Sequence, residues 1–159
     1  MNFAKAQKEI VNELLKGRSV KGFDIDERHV LVSPDGFRGF IFPVSTVCFN
    51  LDRIKKIAAF SVADIVKEEN ELKLTPDFRL LDARRNLMCR RLKGTGKNTY
   101  VNVKYLEYFQ NPRFFQEKNN LGVIVVTEGA NGADIPVGII LPIRCTFDDG
   151  TYYGDTERM

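Results

Sequence analysis

The chain has 159 residues, a net charge of +3, 43% hydrophobic residues and 28% charged residues. These values are typical of one globular domain with a core of its own, and no run approaches the roughly 18 apolar residues of a membrane span. The N-terminal residues lack the apolar segment of a secretory signal. Three widely spaced cysteines indicate reduced thiols. We therefore expect a cytoplasmic protein with no membrane partner.

The first predicted element is a helix over residues 3–16. Its apolar stripe consists of Phe3, Ala6, Ile10, Val11, Leu14 and Leu15, which is the spacing of a helix packed on a core. Asn2 is a suitable N-cap and Gly17 a suitable end. A second stripe carries Lys5, Lys8 and Lys16, with glutamates beside it. This stripe is either a solvated face with ion pairs or a surface for a polyanion.

Three strands are predicted over 20–25, 30–32 and 37–42, with a further strand over 47–49. Pro34, Asp35 and Gly36 form a turn sequence. Such short connections favour an antiparallel meander. A short helix over 51–58, capped by Asn50, and a capped turn at Ser61 begin a connector.

The most basic stretch is 79–97, where strands are predicted over 87–92 and 99–103. Its cations are Arg79, Arg84, Arg85, Arg90, Arg91, Lys93 and Lys97, and Asp82 is its only acidic residue. Neighbours in a strand point to opposite faces, so Arg90 and Arg91 cannot both face one ligand unless a bulge intervenes. Beyond it we predict a helix over 104–110, strands over 114–115, 121–127 and 135–141, and a small hairpin in the tail.

A short repeat relates two of these strands. GFIFP at 39–43 returns as GIILP at 138–142, and each copy has the pattern of a buried strand that ends at a proline. Each glycine allows a bulge or a close backbone approach. The alternative is chance similarity between two core strands. The repeat predicts an α+β single domain over 1–144 with two helix-plus-antiparallel-strands halves related by a pseudo-twofold, at about 1–50 and 98–144, joined by a connector over 51–97 and followed by a tail over 145–159.

Three segments resemble the bacterial DNA sliding clamp: VSPDGFR at 32–38, NVKYL at 102–106 and VGIILPIR at 137–144. The resemblance implies a DNA-clamp-like fold whose helices line a basic channel around duplex DNA. It also implies that partner proteins dock a peptide near Leu141, Pro142, Ile143 and Arg144. This chain departs from the family, since it has room for one domain where a bacterial clamp has three, and it continues beyond Arg144.

Signals for catalysis are weak. His29 is the only histidine, and the cysteines lack metal-ligand spacing. Residues 94–97 read GTGK, but Asn98 follows and the frame of a phosphate-binding loop is incomplete. We expect no catalytic residue, no metal and no cofactor.

The leading functional hypothesis is a non-enzymatic, clamp-like protein of DNA replication or repair that binds the duplex backbone without sequence specificity. The expected DNA contacts are Lys5, Lys8, Lys16, Arg84, Arg85, Arg90, Arg91, Lys93, Lys97 and Lys104. The alternative is a clamp-fold protein-interaction module, for example from a mobile element, that binds a replication or host protein without encircling DNA. The oligomeric state stays open. Helix 3–16 and helix 104–110 should lie side by side beneath one sheet.

Overall fold

The structure, a computed structural model, describes residues 1–56, 61–82, 84, 86–95, 97–117, 122–143, 145–146 and 152–153. Its helices are α1 (Phe3–Leu15) and α2 (Val103–Leu106). Its strands are β1 (Lys21–Asp24), β2 (His29–Ser33), β3 (Arg38–Pro43), β4 (Lys55–Lys56), β5 (Glu71–Asp82), β6 (Leu87–Gly94), β7 (Lys97–Asn102), β8 (Arg113–Phe115), β9 (Val123–Glu128), β10 (Asp134–Ile140), β11 (Cys145–Thr146) and β12 (Tyr152–Tyr153).

One large sheet organises the described residues. Its ten strands lie in the order β4-β1-β2-β3-β10-β9-β8-β5-β6-β7. Neighbouring strands are antiparallel, apart from the short parallel pair of β1 and β4. The strands β11 and β12 form a separate two-stranded sheet, so the hairpin expected in the tail is present as a strand pair, and its turn lies outside the described residues.

The predicted fold class, an α+β clamp-like domain with two helix-plus-strands halves, is wrong. The fold is mainly β, with a single large sheet and one substantial helix in the described chain. The second helix was expected over 104–110, but α2 has four residues. An isolated short helix gains little from cooperativity, and here a turn buries Tyr108 and Phe109 instead. Residues 71–97 were assigned to a connector and form β5, β6 and the start of β7.

Two local predictions also need correction. The helix predicted over 51–58 is a single 3-10 turn at Leu51–Arg53, after which Ile54 is extended and buried. Leu15 was placed on the apolar stripe of the first helix, yet it is 81% exposed. The buried side chains of α1 are Ala6 and Ile10. Gly17 follows the helix with φ +71°, a conformation that glycine adopts without strain.

The repeated segments pair with each other at the centre of the sheet. Gly39 lies opposite Ile139, and Phe40 lies opposite Gly138. A Cβ atom on Gly138 would lie 2.7 Å from the Phe109 ring and 2.8 Å from the carbonyl oxygen of Gly39. The register with β9 also shifts between Pro136 and Gly138. The glycine is therefore needed for a close approach beside a bulge, as the sequence indicated.

Both faces of the central strands are covered, which matches the buried-strand pattern of the repeat. One face packs against α1 and the segment 105–109, with Phe40, Phe42 and Ile10 in its core. The opposite face carries Leu31, Ile41 and Ile124, and the segment 61–67 covers part of it. The large sheet is consequently the middle layer of the molecule.

Helix α1 and the segment 103–109 lie side by side on the first face. The Asn2 amide donates to the Tyr108 carbonyl at 2.7 Å, and Lys5 forms an ion pair with Glu107 at 3.2 Å. The Tyr108 hydroxyl donates to Glu9, which also pairs with Arg38 of β3. Burial and the Glu9 hydrogen bond raise the pKa of Tyr108, so its hydroxyl keeps its proton. These contacts join the helix, the turn and the sheet.

Candidate nucleic-acid interface

Strands β5 and β6 form a hairpin whose tip extends past β7, because β6 pairs with β7 from Cys89 to Gly94 but with β5 alone at Leu87 and Met88. Only Glu71 and Leu72 of β5 pair with β8, and β5 pairs with β6 alone from Lys73 onward. Pro76 lies in the irregular part of β5, between the pairs Leu74–Leu92 and Phe78–Arg90, where a missing N–H is tolerated. We call residues 73–94 the arm.

Positive charge is concentrated around the arm. Residues 71–97 contain eight basic and three acidic side chains, a net charge of +5. The other 132 residues contain sixteen basic and eighteen acidic side chains, a net charge of −2. The modest total of +3 therefore hides a strongly basic segment on a body of slightly negative charge.

The arm has a charged face and an apolar face. The charged face is set by the pairs Lys73–Lys93 and Arg79–Cys89, and it also carries Arg91. Cys89 is fully buried there, whereas Arg79 and Lys93 are exposed. Arg91 forms an ion pair with Asp77. Arg79 and Lys93 thus place exposed positive charge on this face of the arm, with buried Cys89 between them.

The apolar face lies on the opposite side of the arm. Its members are Leu74, Phe78, Leu80 and Met88, which are 41%, 47%, 54% and 37% exposed. Leu80 pairs with Met88 across the strands, and Phe78 pairs with Arg90. The Arg90 guanidinium carbon lies 4.9 Å from the Phe78 ring centroid, which is cation–π distance. Toward the body this face continues into buried Leu92.

An irregularity in β5 lies opposite Arg90 and Arg91 of β6, and these two arginines point to opposite faces. Three residues of β5 lie between the pairs Leu74–Leu92 and Phe78–Arg90, where β6 has only Arg91. The Arg90 Nε atom donates to the Thr75 carbonyl at 2.8 Å, and the Thr75 hydroxyl donates to the Arg91 carbonyl at 3.0 Å. The extra residues lie in β5, and β6 itself is regular here. Arg90 and Arg91 are therefore consecutive positions of one strand, and their side chains point to opposite faces.

The lysines of the first helix form a weaker basic surface than expected. Lys5 is bridged to Glu107, and Lys16 is bridged to Glu13 at 3.3 Å. Lys8 and Lys104 are exposed. Because α1 contains two lysines and two glutamates, it has no net charge. The expected helix contacts are therefore less favourable for a polyanion than the arm is.

The remaining predicted DNA contacts are divided between described and undescribed residues. Arg84 is exposed in the turn between β5 and β6. Arg85 lies outside the described residues, and Lys97 is described only as the first backbone position of β7. The structure thus brings Arg84, Arg90, Arg91 and Lys93 together on one hairpin.

The predicted partner-binding residues follow β10. Leu141, Pro142 and Ile143 are half-buried, and Arg144 lies outside the described residues. The Leu141 amide donates to the Phe37 carbonyl at 2.8 Å, while the Ile143 amide donates to the Tyr100 carbonyl at 2.7 Å. Of the three described residues, Leu141 contributes to the wall of a cavity.

That cavity, the apolar groove, has a volume of about 270 Å³. It lies between the first strands and the end of β10, and its apolar walls are Phe23, Leu31, Phe37, Ile139 and Leu141. Phe37 is 60% exposed. Since ligand pockets usually span about 300–1,000 Å³, the groove suits one or two side chains of a peptide better than a cofactor.

The described residues offer little for catalysis. His29 Nδ1 lies 2.9 Å from Asp26 Oδ1. Hydrogen bonds from the Arg28 amide and from His29 lower the pKa of Asp26, which is the pattern of a surface ion pair. Within the described ranges, no group of three His, Cys, Asp or Glu side chains is placed to hold a metal ion. No helix in that part of the chain is long and apolar enough to cross a bilayer.

Comparison with protein-family models, curated proteins and solved structures gives no match to this chain. The geometry therefore stands alone as the basis for a functional assignment. Sequence reasoning selected the basic residues of the arm but missed its apolar face. The signal was the even-numbered spacing of Leu74, Phe78 and Leu80 in a strand.

Proposed function

We propose that this protein binds the phosphate backbone of duplex DNA through the arm, without catalysis and without sequence specificity. The observation that carries the proposal is the charge separation, +5 within residues 71–97 against −2 elsewhere. Phosphate contacts by lysine and arginine supply affinity for any sequence. The tip of the arm, where β6 pairs with β5 alone, is a two-stranded β-ribbon, which is narrow enough to enter the major groove. The proposal needs neither a ring nor a second helix.

The charged side chains of the arm differ in their role. Arg91 is half-buried and forms an ion pair with Asp77, and Lys73 lies at the base of the arm beside Glu71. Exposed Arg79, Arg84 and Lys93 are placed where a phosphate can reach them. We assign the main backbone contacts to these three exposed residues.

The test is the salt dependence of duplex binding, measured by fluorescence anisotropy over a series of salt concentrations. Each phosphate contact contributes about 0.9 to the slope of log K against log salt. The triple variant Arg79→Gln, Arg84→Gln, Lys93→Gln should lower that slope by roughly 2–3, and it should weaken unrelated duplex sequences equally.

A matched control removes the same charge elsewhere. Lys5→Gln, Lys8→Gln, Lys16→Gln also removes three positive charges, all on or next to α1. This variant should retain most of the parent's slope, because α1 carries as many glutamates as lysines whereas residues 71–97 have a net charge of +5. A larger loss in the helix variant than in the arm variant would contradict the assignment to the arm. Absence of salt-sensitive binding at low ionic strength would overturn the proposal itself.

The apolar groove supports a second candidate function, the docking of a short apolar segment of a partner protein. Among the described residues, the tail strand β12 contacts β7, at the far edge of the sheet from the groove. Exposed Phe37 and half-buried Leu141 form part of the wall of the apolar groove. Selection of a displayed random-peptide library should enrich apolar sequences whose binding is lost in Phe37→Ser and retained in Phe78→Ser. If the enriched peptides bind Phe37→Ser as well as they bind the parent, the groove is not the docking site.

A further inference from the structure

The apolar face of the arm is not explained by phosphate binding. Nine large hydrophobic side chains are exposed among the described residues, and four of them lie on this face. A surface that only contacts phosphates needs cations and polar groups. Apolar side chains of this size in a strongly basic setting indicate contact with bases as well as with phosphates.

We propose that the apolar face is a wedge that enters duplex DNA at a disrupted base step, such as a mismatch. This inference rests on the proposed backbone binding. Proteins that deform duplex DNA insert Phe, Leu, Ile, Met or Pro between base steps, and the wedge here consists of Leu80, Met88 and Phe78. The charge of the arm selects a polyanion in preference to an apolar protein or a neutral surface.

The geometry of the hairpin supports insertion from its tip. Leu80 and Met88 are directly opposite each other in the two-stranded part, where β6 has no pairing with β7. On the same face, the next pair toward the body is Phe78 with Arg90. The Arg90 guanidinium lies over the Phe78 ring. The two unbranched or aliphatic side chains thus lie nearest the tip, and the aromatic ring with its cation lies behind them, toward the body. Arg79 and Lys93, on the opposite face, are positioned for the flanking backbone.

A mismatch is the expected preference because separating stacked bases costs a few kcal/mol per step. A mismatched step has already lost part of its stacking and pairing, so less of that free energy must come from the protein. We therefore expect about tenfold tighter binding to a mismatched duplex than to the fully paired duplex, equivalent to about 1.4 kcal/mol.

The experiment compares three labelled probes by anisotropy: a paired duplex, the same duplex with a central mismatch, and its single strand. The variant Leu80→Ser, Met88→Ser should lose the mismatch preference while the salt slope for the paired duplex is retained. The control Leu15→Ser removes a still more exposed leucine from α1 and should keep the preference. A fluorescent adenine analogue beside the mismatch should brighten as it unstacks with the parent protein and with Leu15→Ser, but not with Leu80→Ser, Met88→Ser.

The outcomes separate the inference from the proposal on which it rests. Salt-sensitive but equal binding of paired and mismatched duplexes overturns the wedge and leaves backbone binding intact. No salt-sensitive binding to either duplex overturns both. Tighter binding of the single strand than of either duplex would mean that the face binds unpaired bases in general. That result overturns the wedge. Self-association that is lost in Leu80→Ser, Met88→Ser would make the face a contact between copies and would also overturn it.

Discussion

At the scale of single residues, two glycines show how closely the centre of the sheet is packed. A Cβ atom on Gly138 would meet the Gly39 carbonyl oxygen at 2.8 Å, and that oxygen belongs to the backbone of β3. A Cβ atom on Gly39 would meet the Leu31 Cδ1 atom at 2.6 Å, which is the end of a flexible side chain. The two positions of the repeat are therefore not equivalent.

We expect Gly138→Ala to be the more destabilising of the two substitutions. Overpacking of a dense core costs about 1–3 kcal/mol, and the backbone neighbour of Gly138 cannot move without disturbing the ladder between β3 and β10. Leu31 can change rotamer to accommodate Gly39→Ala. Urea unfolding of both variants measures the difference in free energy of unfolding. Equal values, or a larger loss for Gly39→Ala, would contradict this account.

Glu71 is the residue whose ionisation should influence stability. It accepts hydrogen bonds from Lys73 at 2.8 Å and Arg113 at 3.2 Å, and Arg113 also pairs with Asp134 of β10. These partners, Lys73 first and then Arg113, hold the pKa of Glu71 below its ordinary value of 4.5. Since the charged form is the one favoured by folding, its contribution is present above pH 4.5 and is lost as the pH falls through the lowered pKa.

Glu71→Gln should accordingly destabilise the protein at neutral pH and lose that effect in acid. Urea midpoints of parent and variant should differ at pH 7 and converge as the pH is lowered below the folded pKa of Glu71. Glu27→Gln, which replaces an exposed glutamate between β1 and β2, serves as the control. A difference for Glu71→Gln that is constant across this range would remove the ionisation argument.

At the scale of elements, α1 is held by a narrower stripe than its periodicity indicated. Ala6 and Ile10 are fully buried, whereas Leu15 is 81% exposed at the last turn. Six apolar positions at helical spacing predicted the helix correctly, but periodicity alone does not reveal where the covering sheet ends. Only the packing of α1 across Phe40 and Phe42 decides which of the six contribute.

This difference gives a matched pair of substitutions. Ile10→Ala should reduce the free energy of unfolding by about 2–5 kcal/mol, as for a buried aliphatic side chain that leaves a cavity. Leu15→Ala should change it by less than about 0.5 kcal/mol, because an exposed side chain gains little from folding. Thermal and urea unfolding provide the comparison. Comparable losses at both positions would mean that the end of α1 is covered.

At the scale of the whole molecule, one core joins the two ends of the large sheet. Its buried members come from α1 and from strands on both sides of the central pair, among them Val30, Phe40, Val125, Leu72 and Leu92. Each described strand of the large sheet is hydrogen-bonded to at least one neighbouring strand. The layer should therefore unfold as one cooperative unit.

We expect coincident urea transitions from the backbone signal in far-ultraviolet circular dichroism and from tyrosine fluorescence. The five tyrosines report on one end of the sheet, since Tyr100, Tyr105 and Tyr108 lie in or next to β7 and α2, and Tyr152 and Tyr153 form β12, which contacts β7. The backbone signal reports on the entire sheet. Val30→Ala, near the opposite edge, should shift both transitions together. Two separated transitions would show that the ends of the sheet unfold independently.

The sequence by itself determined the local elements that depend on nearby residues. These are helix α1 with its Asn2 cap, the turn at 34–36, the buried strands of the repeat, and the concentration of cations in 79–97. Periodicity, turn residues and charge are local properties, so they can be read along the chain. The basic part of the candidate site was predicted for this reason.

Tertiary structure decided the architecture and the second half of the site. Residues 104–110 had helical spacing, but the burial of Tyr108 and Phe109 against Phe40 and Gly138 favoured one turn of helix followed by a bend. Residues 71–97 carried no repeat signal, yet pairing with β8 and β7 added them to the sheet. The apolar face of the arm became visible only when β5 and β6 were paired, because strand register determines which side chains share a face.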